Sequence, residues 1–149
     1  MSGFKHKTPD DSTGFLLWKL SSLWQQMLAA ELSRFDINQT QFAILASLKW
    51  FSGNAQTATQ TTLVAHAKIE KMTLSKSIRL LERQGLVARS KSREDGRTVA
   101  VVLSPEGARV IDKALVAVEN ADEMFFGKLK PGKLRDFQAL MRHLVESAA

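Results

Sequence analysis

The chain has no cysteine. That absence excludes a structural disulfide, a thiol redox sensor, a cysteine nucleophile and any thiolate zinc site. It fits a reducing cytoplasm. Long apolar runs are missing too. None reaches the roughly 20 residues that a membrane-spanning helix needs, and the opening MSGFKHKTPDD has no apolar signal-peptide core. The expectation is a cytoplasmic protein with no membrane partner. No internal repeat and no low-complexity tract stands out. Histidine is scarce: His6, His66 and His143 lie far apart and match no metal-ligand spacing. His66 falls on a short helical pattern and reads as a surface or support residue. There is no Ser–His–Asp grouping, no paired catalytic constellation and no glycine loop to cradle a phosphate. No catalytic residue, metal ligand or cofactor is therefore expected, and an enzyme is the least supported class.

What is present is apolar material and an uneven charge. The 149 residues are 44% hydrophobic and 24% charged, enough for one domain with a real core. The formal net charge is +6, and Lys68 to Arg97 carries +5 of it, with nine basic residues against four acidic ones. A basic excess gathered in one segment is the electrostatic footprint of a polyanion site. An ordinary solvated helix face is the competing reading of the charge alone.

The pattern of that stretch favours the polyanion. Leu74, Ser77, Ile78 and Leu81 share one face of a helix. Met72, Ser75, Lys76, Arg79 and Arg83 fall together on the opposite face. Gly85 follows as a C-terminal stop. Before this helix, Thr59 or Gln60 opens a shorter one over Thr61 to Ala67, with a turn at Lys68 to Glu70. Two short helices with a tight turn, the second amphipathic and basic, make a helix-turn-helix candidate. After Gly85 the period changes. Leu86 to Ser90 and Thr98 to Leu103 read as strands joined by KSREDGR, whose Asp95-Gly96 is a hairpin turn signal. Helix-turn-helix plus basic hairpin is a winged helix, with the helix suited to the major groove and the wing to backbone or minor groove.

Residues 1–11 are polar and expected to lack regular structure. Ser12 or Thr13 caps a helix to about Arg34, with Phe15, Leu16, Leu17, Leu20, Leu23, Trp24, Met27, Leu28 and Leu32 apolar. That stripe is wider than one surface needs. A partner subunit or burial within one subunit would cover it. Asp36 to Asn38 break the helix, and Thr40 to Phe51 form the next, followed by turn residues Ser52, Gly53 and Asn54. Ser104 caps a long helix with Pro105 at its first position and a stripe from Val110 to Phe125. Gly127 and Pro131-Gly132 punctuate, and Lys133 to Val145 is the last helix. The expected fold is mainly α with a small β-hairpin wing (α+β). A winged helix-turn-helix over 36–104 is flanked by helices at 12–35 and 105–147, all one domain over 1–149.

Asp95-Gly96-Arg97, then six residues, then Ser104-Pro105-Glu106-Gly107 resembles the wing-to-helix signature of the multiple-antibiotic-resistance regulator (MarR) family. Leu63 to Val87, through Arg79-Leu80-Leu81-Glu82-Arg83-Gln84-Gly85-Leu86, is similar to that family's recognition helix and its exit. The resemblance covers about residues 12–147. It implies a homodimer, triangular in outline, joined by the helices at 12–35 and 105–147. It implies binding to a pseudo-palindromic double-stranded operator, most often as a repressor. It also implies release by a small aromatic or phenolic effector; oxidative release, used in cysteine-bearing branches, is excluded here. Glu70 departs from the serine common in the family and puts a negative charge where phosphate would approach.

Residue roles follow. Lys71, Lys76 and Arg89 are expected to hold phosphates, giving affinity that falls with salt. Ser75 and Arg79 are the base-edge candidates, Arg79 pairing with guanine O6 and N7. Met72 and Thr73 are placed to touch a thymine methyl, and Arg83 extends the same face. Arg97 resembles the family's wing arginine, oriented by Asp95 toward the minor groove. The Asp95–Arg97 pair can equally serve to fix the hairpin turn, and the two roles are compatible. Lys91 and Arg93 are tip charges. Trp18, Trp24, Met27 and Trp50 are core or interface residues, or line a sensor pocket between the dimerisation helices and the winged region. The alternative function is a winged-helix protein-interaction module without sequence-specific DNA binding. Loss of binding at moderate salt would tell the two apart.

Overall fold

The computed structural model describes residues 3–91 and 99–148. Capping side chains mark the helix starts. Ser12 Oγ accepts from the Phe15 amide at 3.4 Å and opens α1 (Thr13–Leu32). A reciprocal Asn38–Gln41 pair, both bonds 2.9 Å, opens α2 (Gln39–Gly53). Thr59 caps α3 (Gln60–Ala67), Glu70 caps α4 (Lys71–Arg83) and Ser104 caps α5 (Pro105–Phe126). The last helix, α6 (Pro131–Ala148), starts on its proline. Pro131-Gly132 is therefore the first turn of a helix rather than a break before one. A proline at the first helical position gives up only an amide that has no partner there anyway.

Two further expectations are corrected. Residues 9–11 are not irregular: Pro9–Asp11 is a 3-10 turn, with the Thr8 amide and hydroxyl donating to Asp11 at 3.3 and 3.2 Å. Asp10 also pairs with Lys19 of α1 at 2.5 Å. Ser52 and Gly53 belong to the last turn of α2, and the chain reverses just after it, at Ala55, whose φ is +53°.

The sheet has three antiparallel strands in the order β1 (Ala58–Thr59), β3 (Val99–Leu103), β2 (Val87–Lys91). Val87 faces Leu103 and Lys91 faces Val99 across the hairpin, while Ala58 faces Val101 on the other edge of β3. Strand β1 carries no sequence signal, because two residues show no period. Its pairing brings the start of α3 to the base of the wing.

The core lies beneath this sheet and between α1, α2, α4 and α5. Leu32, Ile44, Leu45, Leu63, Leu74, Ile78, Leu81 and Ile111 are fully buried in it. Each such side chain contributes about 1.5–3 kcal/mol over its exposed state. One junction explains the Ser104 to Gly107 motif. The Ser104 hydroxyl donates to the Gly85 carbonyl at 2.5 Å and accepts from the Gly107 amide at 2.9 Å. A Cβ on Gly107 would sit 1.9 Å from the Leu86 carbonyl oxygen, so only glycine lets α5 come this close to the end of the helix-turn-helix.

The two ends of the chain stay bare. Of the wide α1 stripe only Leu28 and Leu32 are buried and Leu20, Trp24 and Met27 half-buried, while Phe15, Leu16, Leu17 and Leu23 are exposed, as is Trp18 beside them. Helix α6 has no fully buried residue among the described ones; Leu134 and Phe137 are half-buried, and Leu140, Leu144 and Val145 are 62–66% exposed. Among the described residues no helix is long and apolar enough to cross a membrane.

Candidate nucleic-acid interface

Helix α4 has the two faces its sequence requires. Leu74, Ser77, Ile78 and Leu81 are buried. Lys71, Met72, Thr73, Lys76, Arg79 and Arg83 are exposed or partly so, and Ser75 is half-buried. Its N-terminus is closed by Glu70, whose two carboxylate oxygens accept the amides of Met72 and Thr73 at 3.0 and 2.9 Å. The Thr73 hydroxyl adds a third bond at 3.1 Å. These backbone bonds hold the Glu70 carboxyl below the usual carboxylate range. The C-terminus is a Schellman stop: the Leu86 amide returns to the Leu81 carbonyl and the Gly85 amide to that of Glu82, at 2.9 and 3.0 Å. Gly85 takes φ +75° to make that turn.

Three devices fix α4 on the scaffold. In the turn before it, Lys68 takes the left-handed conformation (φ +56°) that glycine commonly supplies, and its amide still closes α3 through the Val64 carbonyl. Behind it, buried Gln41 donates to the Gln84 side chain at 2.8 Å, and Gln84 donates to the Asp36 carbonyl at 3.2 Å. Beside it, Arg89 of β2 grips Glu82 with two bonds, 3.2 and 2.9 Å, tying the wing to the recognition helix.

The sequence-derived base readers meet. The Arg79 guanidinium donates to Ser75 Oγ at 3.1 Å, which restrains it along the exposed face. Both line a hollow of about 600 Å³ with Arg89, Val99, Thr59, Gln60 and Thr61. Gln60 and Thr61 line the same hollow, a neighbourhood that sequence reasoning misses. They reach it because α3 packs on α4 and because β1, just before α3, pairs with β3; no local signal announces that strand pairing. Arg89, expected to hold phosphate, is engaged with Glu82 while it lines this hollow. Lys91 ends β2, exposed. Arg93, Asp95 and Arg97 lie outside the described residues.

The residues expected in a sensor pocket have separate neighbours. Trp24 donates through Nε1 to Asp122 of α5 at 2.8 Å. Trp50 stacks on His66 with ring centroids 5.1 Å apart, and His66 also meets the Phe51 edge at 5.2 Å. Trp18 is exposed and Met27 half-buried.

In shape and charge the exposed face of α4 suits a nucleic-acid groove. An α-helix with side chains is about 10–12 Å across, and the major groove of B-DNA is about 12 Å wide. The face presents Lys71, Lys76, Arg79 and Arg83, none of them in an ion pair among the described residues.

Comparison with known proteins gives the following. A family model described as MarR family matches residues 37–99. YdcH of Bacillus subtilis (strain 168), an HTH-type transcriptional regulator described as uncharacterized, is 34% identical over 141 residues, covering 93% of this chain and 96% of YdcH. Among solved structures, Bordetella bronchiseptica BpsR, described for regulation of its DNA binding by 6-hydroxynicotinic acid, superposes with a TM-score of 0.79 at 22% identity, over 89% of this chain and 97% of BpsR. A mutant MarR from E. coli complexed with operator DNA also gives 0.79 at 22% identity, over 88% of this chain and 91% of that one.

Proposed function

Because the chain belongs to the MarR family of winged-helix transcriptional regulators, we propose that it binds a pseudo-palindromic operator as a homodimer, acts there as a repressor, and lets go when a small aromatic ligand binds. The observation that carries this reading is the Ser75–Arg79 pair, held mid-helix on a basic face that makes no ion pair among the described residues. Arg79 reads a guanine edge. Lys71, Lys76 and Arg83 hold the flanking phosphates, with Arg89 joining them from the wing. Met72, 67% exposed, and Thr73 offer apolar contact to a thymine methyl. Lys91, Arg93 and Arg97, with Asp95 as its partner, carry the wing's share.

The bare faces of α1 and α6 supply the dimer contact in this reading. A dimer must set its two recognition helices about 34 Å apart to meet successive turns of one groove face. A ligand that prefers another spacing weakens DNA binding by its differential affinity and by no more. The BpsR likeness supports trying aromatic acids first, and the MarR–operator likeness supports the docking mode. A ligand site lined by Trp18, Trp24, Met27 and Trp50 would need the dimer, because in one chain Trp18 lies open and Trp24 and Trp50 pack on different helices. The protein works in the cytoplasm as a binding protein, not an enzyme.

Selection of bound fragments from a random duplex library tests the reading. An enriched inverted repeat is the expected result. Enrichment of no repeat, with a protein partner retained instead, would replace the operator reading with the interaction-module one.

A further inference from the structure

We propose that Glu70 is a specificity determinant of DNA binding, its carboxylate barring the leading end of α4 from the phosphate backbone and favouring a base that presents an exocyclic amino group. The inference rests on the reading that α4 enters the major groove, and goes beyond it by assigning a role to an acidic residue.

A helix N-terminus ordinarily offers free amides and a positive dipole end to an anion. Here that place is taken. Glu70 already accepts the amides of Met72 and Thr73 and the Thr73 hydroxyl. It makes no ion pair among the described residues, so its charge is not cancelled by a fixed cation. It is exposed at the N-terminus of α4, the end whose residues meet base edges when such a helix enters the major groove. Like any ordinary glutamate it is ionised at neutral pH, and the Met72 and Thr73 amides lower its pKa further.

Such a charge acts differently in the two modes of DNA binding. Non-specific binding is dominated by phosphates, and a carboxylate beside them repels. In a specific complex the end of the helix faces base edges instead. Cytosine N4 and adenine N6 carry amino donors there, while guanine presents only acceptors in the major groove. A carboxylate has about four acceptor positions, and three bonds use most of them. What remains suits one amino group per half-site, or a water that bridges to one. Lys71, adjacent and exposed, can hold the nearest phosphate from the side.

The test compares the full-length protein with Glu70→Ser and Glu70→Gln. Serine is itself a preferred N-cap, so the first variant keeps the helix start, and glutamine keeps the length without the charge. Affinity for the selected operator and for a random-sequence duplex is measured by fluorescence anisotropy over a salt series, and the library selection is repeated. Both variants should bind the random duplex several-fold more tightly than wild type. Their salt dependence should steepen by about one unit for each additional phosphate held, and the operator-to-random ratio should fall by about fivefold or more. One position in each half-site should lose its preference for cytosine or adenine. Mere loss of a cap would weaken binding to every duplex, which is the opposite result. If wild type selects an operator but both variants keep its motif and bind random duplex no more tightly, the role of Glu70 is overturned and the regulator reading stands. If wild type selects no motif at all, both fall together.

Discussion

At the scale of single residues, Arg79 and Lys76 share a face but differ in what they can read. Arg79 is steered by Ser75, so Arg79→Ala should flatten one position in each half-site and cost about 1–3 kcal/mol at the preferred base. Lys76→Ala should weaken binding evenly across sequences and reduce the salt slope by about one unit for each phosphate no longer neutralised. Anisotropy on matched and mismatched duplexes separates the two patterns. Gly107 makes a different prediction. Its missing side chain leaves room for the Leu86 carbonyl, where a Cβ would lie 1.9 Å away. Gly107→Ala should therefore destabilise the fold by about 1–3 kcal/mol, read as a lower urea midpoint with an unchanged slope. The Ser104 to Gly107 motif is visible in the sequence, but its second job is not. That Ser104 also bonds the Gly85 carbonyl depends on two segments meeting that are 19 residues apart.

At the scale of elements, what is legible follows from period and punctuation. Helix α4 can be placed because its buried and basic faces are both written at helical spacing and Gly85 ends them. The hairpin strands can be placed because β-branched residues flank a turn signal. Strand β1 cannot, being two residues long and placed by non-local contacts, the pairing with β3 and the burial of Ala58 in the core. For the same reason Gln60 and Thr61 escape sequence reasoning as lining of the hollow, while Ser75 and Arg79, four apart on one helix, do not. The cap of α4 carries a pH prediction. The Glu70 pKa lies below its ordinary value, chiefly through the Met72 and Thr73 amides. A carboxylate lowered on folding adds stability above its unfolded pKa and loses it as pH falls through the folded one. Acidification through and below the ordinary glutamate range should thus fray the first turn of α4. Hydrogen exchange at Met72 and Thr73 should quicken, beyond the intrinsic pH trend, before that of core amides such as Ile78; equal loss of protection at all of them would contradict it.

At the scale of the whole molecule, one chain leaves apolar side chains of α1 and α6 exposed. The apolar set on α1 is too wide for one surface by its sequence alone, and Phe15, Leu16, Leu17 and Leu23 of it are exposed in the single chain. The α6 stripe is likewise legible, but a sequence cannot say that only Leu134 and Phe137 would find partial cover within the chain, Phe137 beside Phe126 of α5, while Leu140, Leu144 and Val145 stay exposed. The proposed dimer is the structure that would bury both. Removing residues 133–149 should then give monomeric or aggregated protein with little DNA affinity, seen by size-exclusion chromatography and anisotropy. An intact dimer after that deletion would move the interface elsewhere. The central claim, that two chains present two α4 helices to one operator, is tested most directly by sedimentation of the protein with an enriched duplex, joined to footprinting of that complex. The account predicts two chains per duplex and protected half-sites about 10 base pairs apart, centre to centre, in inverted orientation. One chain per duplex, or a single unbroken footprint with no two-fold pattern, would contradict it.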